Sequence, residues 1–127
     1  MGNLRYLELD ITTDASGDAT VNATARVIGK LYAVEWVVGT FAAGVDAVLT
    51  EQSRIGGVAR TLLTLTDANA NAIYYPRYVV HGETGTALTG TSGGDREMAY
   101  LMGTPRIVVA QGGDTKTGKC ILWYLAD

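Results

Sequence analysis

The stretch that decides the fold is IVVAQGGDTKTGKCILWYL, residues 107–125. Within it, Gly113 is followed after four residues by Gly118 and Lys119, which is the spacing of the phosphate-binding loop G-x-x-x-x-G-K-[ST] of nucleotide hydrolases. That loop delivers its glycines to the N-terminus of a helix and uses a Ser or Thr hydroxyl to bind Mg²⁺. The motif therefore has to be tested against the residues that follow it.

Cys120 occupies the hydroxyl position, and a neutral thiol is a poor ligand for Mg²⁺. The next residues, ILWYLAD, favour a strand rather than a helix. We therefore predict a hairpin in which two apolar strands flank a turn, with glycines at positive φ and with Lys116 and Lys119 as solvated charges.

Alternating hydrophobicity extends this β-strand pattern to the rest of the chain. Residues 4–12 place Leu7, Leu9 and Ile11 on one face and Tyr6 with the acidic residues on the other. A turn at 14–18 and a second alternating segment at 19–27 predict a hairpin. Residues 30–41 are apolar on both faces, which favours a strand at the centre of a sandwich or at a subunit contact. Further strands are predicted at 47–53, 58–66, 72–80, 97–102, 105–111 and 119–125.

Short strands separated by regular turns are typical of a β-sandwich or jelly roll. We predict an all-β, single-domain protein with roughly eight to ten short antiparallel strands. The domain spans residues 1–127, with residues 1–10 as an N-terminal arm or edge strand.

Composition excludes several classes of protein. Hydrophobic residues make up 47% of the chain and charged residues 18%, with a net charge of −3, so the sequence is neither disordered nor polybasic. The basic residues are scattered singly, so we expect no direct nucleic-acid binding. Cys120 is the single cysteine, which excludes an internal disulfide. The sequence has no evident export signal and no apolar run long enough to span a bilayer, so we expect no membrane partner.

Other apparent motifs do not support a reactive site. Residues 67–72, DANANA, begin like a calcium loop, but Ala72 replaces its glycine and Tyr78 stands where the bidentate Glu is needed. His81 is the single histidine, and no G-x-S-x-G segment accompanies it. A polar loop at 82–94 also lacks ligand spacing. We predict no catalytic residue, no metal site and no cofactor, and we expect the chain not to be an enzyme.

Aromatic residues and arginine suggest an interaction surface. The segment IYYPRYVVH places Tyr75 and Arg77 on one face and Tyr74, Pro76 and Tyr78 on the other, and Tyr, Trp and Arg dominate protein interfaces. The alternative is that one face is core and that Pro76 marks an edge strand or a bulge. The candidate interface residues are Trp36, Tyr75, Arg77, Tyr78 and Trp123.

An ordered series of segments resembles a known family. The series comprises GKLYAVEW (29–36), TLLTLTDANANAIYYPR (61–77), His81 with the polar loop after it, and GTPRIVVAQGGDTKTG (103–118). It resembles the small head decoration (cement) proteins of tailed bacteriophages. The resemblance implies a β-sandwich or jelly-roll virion protein that binds the outside of the head and stabilises contacts between capsomers.

The same resemblance implies the partners and the location. They are the major capsid protein, a homodimer or homotrimer of the chain itself, and the capsid surface of a virion made in the host cytoplasm. The alternative function is a carbohydrate- or receptor-binding module of a phage tail or fibre, in which the tyrosines stack on sugars.

Overall fold

The computed structural model describes residues 2–53, 56–81, 85 and 96–126, and all statements below concern these residues. They form strands and connecting loops, with no helix in the described ranges, which confirms the all-β prediction. The strands are β1 Asn3–Thr12, β2 Ala19–Asn22, β3 Gly29–Val37, β4 Asp46–Gln52, β5 Arg60–Leu65, β6 Ala72–Tyr74, β7 Tyr78–Val79, β8 Arg96–Glu97, β9 Tyr100–Leu101, β10 Thr104–Ala110 and β11 Thr117–Ala126.

Two antiparallel sheets pack face to face. The front sheet has the order β1-β11-β3-β6, with β9 also paired to β3, and the back sheet has the order β2-β10-β4-β5. The eight main strands, β1 to β6, β10 and β11, alternate between the sheets except at the β4–β5 hairpin, which is the connectivity of a double-sheet jelly roll. The small pair β7–β8 lies outside both sheets.

The core lies between the sheets. Ile11, Leu31 and Leu122 from the front sheet and Leu49 and Ile107 from the back sheet are fully buried. Each comes from a strand whose inward positions are apolar, so burial of these side chains fixes the face that each strand turns inward. Burial of apolar surface of this kind is the main favourable term in folding.

Both hairpins predicted from turn sequences are wrong. β1 and β2 lie in opposite sheets, and so do β10 and β11. The physical reason is that β11 already has β1 and β3 as its two neighbours, while β10 has β2 and β4, so neither strand has a free edge for the other. The turns at 13–18 and 111–116 are instead arches, by which we mean loops that carry the chain from one sheet to the other.

Four arches meet at one end of the sandwich, at residues 13–18, 38–45, 66–71 and 111–116. They hydrogen-bond to one another rather than to solvent alone. The N–H of Gly112 donates to the carbonyl of Gly17 at 2.8 Å, and the N–H of Ala42 donates to the carbonyl of Gly112 at 2.9 Å. The N–H of Ala68 donates to the carbonyl of Val45 at 2.8 Å. The arches therefore form one interlocked cap.

The segment that resembles a phosphate loop is the fourth of these arches. Gln111, Gly113 and Thr115 have positive φ angles of 58°, 88° and 51°. Gly118 does not share this conformation and has a different role, because a Cβ at its position would collide with the Phe41 ring. A strand follows the loop, so the chain here has no helix N-terminus to hold a phosphate.

The predicted strand at 72–80 is interrupted. It divides into β6 and β7, with Pro76 in the gap between them. A proline removes a ladder donor, which explains why pairing with β3 stops at Tyr74. The predicted strand at 97–102 is likewise reduced to the short β8 and β9. The polar loop at 82–94 lies outside the described residues except for Gly85.

Candidate functional site

The outer face of the front sheet carries an exposed group of aromatic and aliphatic side chains. We call it the aromatic face. It is built from side chains of β1, β3, β6 and β11 and from residues just after β6. Its members are the exposed residues Leu4, Tyr6, Tyr32, Ile73 and Tyr75 together with Trp123, which is half-buried.

One half of the aromatic face is fixed by the register of β1 on β11. Tyr6 lies directly opposite Trp123, and Leu4 lies opposite Leu125. Because Leu9 on the same strand is buried and side chains alternate, even-numbered residues of β1 point outward. The Tyr6 and Trp123 rings are 5.1 Å apart at an angle of 43°, and Tyr6 is 62% exposed. This pair is an ordered apolar surface that faces solvent.

The other half depends on an irregularity in β3. Trp123 pairs with Ala33, whereas Tyr124 pairs with Leu31, so Tyr32 is an extra residue that the β-bulge leaves unpaired. The bulge presents Tyr32 on the outer face, where its ring meets Tyr75 edge-on at 5.9 Å.

Arg77 braces this second aromatic pair. Its Nη1 donates to the carbonyl of Tyr32 at 3.0 Å and to the carbonyl of Pro76 at 2.7 Å. The guanidinium carbon lies 5.8 Å from the centre of the Tyr32 ring, within the range of a cation–π contact. Arg77 therefore holds the segment after β6 against the bulge, next to Tyr75.

Charged residues border the aromatic face toward the arches. Lys119 Nζ lies 3.0 Å from Glu8 Oε1 and 3.8 Å from Asp10 Oδ1. The hydrogen bond and the negative charge of Glu8, together with the charge of Asp10, raise the pKa of Lys119. Lys119 is thus paired with carboxylates of its own sheet, which does not suit a lysine that binds phosphate.

The outer face of the back sheet is different in character. Arg106 Nε donates to Asn22 Oδ1 at 2.6 Å, and Gln52 Nε2 donates to Thr50 Oγ1 at 2.8 Å. The first of these hydrogen bonds joins β10 to β2 and the second lies within β4, and Val108 is a large hydrophobic residue exposed among these polar side chains. The two outer faces of the sandwich therefore differ, and the front one has the composition of an interface.

The structure divides the five predicted interface residues. Tyr75, Arg77 and Trp123 lie together on the aromatic face. Trp36 does not: it is 1% exposed, its indole N–H donates to the carbonyl of Ala68 at 2.8 Å, and its ring stacks on Phe41. Trp36 is therefore a core residue, and its prediction as an interface residue is wrong. The sequence of β3 is apolar on both faces, so it does not reveal which face the second sheet covers.

Tyr78 lies apart from the aromatic face. Its hydroxyl donates to the carbonyl of Leu62 at 2.6 Å, and burial raises the pKa of this phenol although Arg60 and Arg77 act in the opposite direction. It lines a cleft of ≈ 480 Å³ that His81 also borders. Tyr74 and Tyr78 pack against the core whereas Tyr75 is exposed, although the strand is interrupted between them.

Four members of the aromatic face were not among the predicted residues: Leu4, Ile73 and the two aromatic residues Tyr6 and Tyr32. The signal for Tyr6 was present, because a tyrosine on the polar side of an alternating strand has no core to enter. Tyr32 had no such signal, since its outward direction depends on the bulge in β3.

A buried carboxylate, also not predicted, ties the loop before β10 to the back sheet and forms an ion pair with a partly exposed arginine. The side chain of Glu51 is 8% exposed, and its Oε1 lies 2.8 Å from Nη2 of Arg60. Its Oε2 accepts hydrogen bonds from the N–H groups of Met102 at 2.7 Å and Gly103 at 3.0 Å. All of these partners are within the protein, so the carboxylate is satisfied structurally.

The remaining polar and reactive groups do not form a metal cluster. Among the described residues, no group of three or more His, Cys, Asp or Glu side chains is arranged to hold a metal ion. Cys120 is fully buried, and burial raises the pKa of its thiol to about 12. No helix in the described part of the chain is long and apolar enough to cross a membrane.

Comparisons with known proteins yield distant structural likenesses. No protein-family model matches the chain, and no curated protein sequence matches it. One similar solved structure is that of Bacillus endospore appendages, described as disulfide-linked pili, with 12% identity, a TM-score of 0.40 and coverage of 98% of this chain and 88% of that chain. Another is that of infectious bursal disease virus, Gx strain, with 14% identity, a TM-score of 0.31 and coverage of 100% of this chain and 37% of that chain. At these TM-scores the likenesses carry no argument about function.

Proposed function

We propose that this chain is a structural protein of a virus particle, a decoration protein that binds the outside of a tailed-phage head through its aromatic face. The major capsid protein is the partner, and the capsid surface is the location. The role requires adhesion without turnover, so the chain performs no catalysis.

The observation that carries this proposal is the difference between the two outer faces of the sandwich. The back sheet presents polar side chains that satisfy one another, as Arg106 and Asn22 do. The front sheet presents two ring pairs, Tyr6 on the half-buried Trp123 and Tyr75 on Tyr32, and Tyr6, Tyr32 and Tyr75 are exposed. Exposed apolar groups that are contiguous mark interaction sites on soluble domains.

The order of this surface also favours a binding role. Rings held by ring contacts and by the two hydrogen bonds of Arg77 lose little conformational freedom when a partner covers them. The jelly roll itself is an architecture of capsid and lectin domains, which is compatible with both of the functions considered for this chain. The resemblance of residues 29–36, 61–77 and 103–118 to phage decoration proteins favours the capsid.

The test is cosedimentation of the purified protein with DNA-filled heads of the phage that encodes it. We expect saturable binding, and we expect Trp123→Ala to weaken it by about 30-fold, the effect of removing a hot-spot aromatic residue. Val108→Ala, on the outer face of the back sheet, is the matched control and leaves binding unchanged. Binding that is equally strong for both variants, or no binding to heads at all, rejects the proposal.

A second candidate function is supported by the exposed Tyr6–Trp123 pair. Two rings at 5.1 Å that face solvent offer a platform on which a sugar ring can stack. A glycan array followed by quenching of Trp123 fluorescence distinguishes this carbohydrate-binding function. A saturable glycan signal that Trp123→Ala abolishes, together with no binding to heads, replaces the capsid proposal with this one.

A further inference from the structure

The strand β1 is a long, open edge of the front sheet. It contains ten residues, Asn3–Thr12, and pairs on one side with β11. No other strand of the front sheet lies beyond it in the part of the chain that the structure describes. We propose that this edge pairs antiparallel with β1 of a second copy of the chain, about a two-fold axis at Tyr6, so that the two front sheets become one.

The N–H and C=O groups of β1 alternate between β11 and the open edge of the sheet. The N–H of Thr13 donates to the carbonyl of Lys116 at 2.9 Å, which continues the register that pairs Thr12 with Thr117. Odd-numbered residues of β1 therefore direct their N–H and C=O groups toward β11. Even-numbered residues, among them Tyr6 and Glu8, direct theirs toward the open edge, where a second strand would satisfy them.

Apart from the charges of Arg5, Glu8 and Asp10, the sequence of β1 carries none of the usual protection of an edge. Proteins block such edges with proline, with lysine, or by keeping the strand very short. β1 contains neither residue type, and its pairing with β11 has no bulge. The other edge strands β2, β5 and β6 have four, six and three residues, so they offer fewer free backbone groups to a pairing strand.

Charges along β1 exclude most two-fold registers. An axis at Arg5 places Arg5 opposite its own copy, and an axis at Glu8 does the same for Glu8. An axis at Leu9 places Glu8 opposite Asp10. Like charges directly opposite one another destabilise a strand pair, so of the axes at residues 5–9, which pair most of the strand, those at Tyr6 and Leu7 remain.

Aromatic contacts favour the axis at Tyr6. An axis at Leu7 places Tyr6 opposite Glu8 and Leu4 opposite Asp10. An axis at Tyr6 instead places the two Tyr6 rings opposite each other, each already packed on Trp123 of its own copy. The result is a row of aromatic side chains that crosses the junction, and aromatic cross-strand pairs are among the stabilising ones. This register places Glu8 opposite Leu4 and Asp10 opposite Gly2, so one carboxylate of each copy faces a large apolar side chain, whereas two do so with the axis at Leu7.

A proline placed at the open edge is a direct test. Glu8→Pro removes an N–H that points away from β11, so the internal ladder keeps its hydrogen bonds while the proposed junction loses one in each copy. Glu8→Ala removes the same side chain and keeps the N–H. By sedimentation velocity we expect twice the 13.4 kDa chain mass for the original protein and for Glu8→Ala, and the single-chain mass for Glu8→Pro. A thermal melt of each variant establishes that it is folded.

Cross-linking tests the register independently of the proline variant. In a hydrogen-bonded antiparallel pair, opposite Cα atoms are about 5.5 Å apart, within the range that a disulfide bridges. Tyr6→Cys is therefore expected to give a covalent dimer on mild oxidation. Asp10→Cys, equally exposed on the same strand but four residues from the axis, is expected to give none. The native Cys120 is buried and does not interfere.

Several results overturn this inference. They are a single-chain mass at all concentrations, a mass that grows without limit as in head-to-tail filaments, a dimer that Glu8→Pro leaves intact, and cross-linking of Asp10→Cys in place of Tyr6→Cys. The outcome is separable from the proposed function. A dimer that does not bind heads contradicts the capsid role alone, whereas a monomer that binds heads contradicts the junction alone.

Discussion

The hydroxyl of Thr13 joins the first arch to the fourth, and its removal has a calculable cost. Thr13 is 3% exposed, and its Oγ1 donates to the carbonyl of Gly113 at 2.6 Å while accepting from the N–H of Lys116 at 2.8 Å. Thr13→Val keeps the size and shape of the side chain and replaces the hydroxyl with a methyl group. Two hydrogen bonds are lost together.

The expected destabilisation follows from these two bonds. Each hydrogen bond contributes about 1 kcal/mol net, and a carbonyl or N–H that stays partly buried without a partner adds to the loss. We expect Thr13→Val to lower the free energy of unfolding by about 2–3 kcal/mol, which for a chain of this length lowers Tm by roughly 8 °C. Urea denaturation followed by circular dichroism measures the first quantity, and calorimetry measures the second.

Thr13→Ser is the matched control. It keeps the hydroxyl and loses the methyl group that lies near Gly112, so we expect a smaller cost of about 1 kcal/mol. If Thr13→Val is as stable as the original protein to within about 0.5 kcal/mol, the hydroxyl does not hold the arches together. The same conclusion follows if the Ser variant is the less stable of the two.

Three further predictions concern the core and its pH dependence. Trp36→Phe removes the N–H that donates to the Ala68 carbonyl and leaves a gap in the core. We expect urea denaturation to show a free energy of unfolding lower by about 2–3 kcal/mol, and a decrease under about 1 kcal/mol would contradict this. Gly118→Ala places a methyl group against the Phe41 ring and should lower the free energy of unfolding by about 1–3 kcal/mol. Adding Phe41→Leu should restore part of that stability. If it restores none, the backbone rather than the ring is the obstacle. Burial raises the pKa of Cys120 from 9.0 to about 12, so the unfolded chain loses the thiol proton at a lower pH than the folded chain does. The free energy of unfolding should therefore fall as pH rises from 9 toward 12. Denaturation of Cys120→Val over the same pH range should show a smaller fall.

Strand positions and strand faces were accessible from the sequence where hydrophobicity alternates. Leu9 and Ile11 were placed inside and Tyr6 outside, and the structure has them so. Alternation is a property of one strand, and it reports which side of that strand meets the core. It is uninformative for β3, whose residues are apolar on both sides, and Trp36 was misplaced for that reason.

The pairing of strands could not be predicted from the sequence in the same way. A turn rich in Gly, Asp and Thr is compatible with a hairpin and with an arch, because both require residues at positive φ. The difference lies in which strands flank β10 and β11, and those strands are far away in the sequence. Gln111 and Thr115 adopt positive φ although neither is glycine, and the neighbouring sequence does not predict this. The aromatic face shares this limitation, because Tyr6 and Trp123 meet only when β1 pairs with β11.

The position of β11 between β1 and β3 has a consequence for the order of folding. β1 and β11 are separated by about a hundred residues, and pairing across such distances is slow because the loop must close before any contact forms. On the ribosome, every other strand of the sandwich emerges before β11 does. Until then β1 has no neighbour in its sheet, and the Tyr6–Trp123 half of the aromatic face cannot form. This pair is therefore among the last features of the fold to form during synthesis.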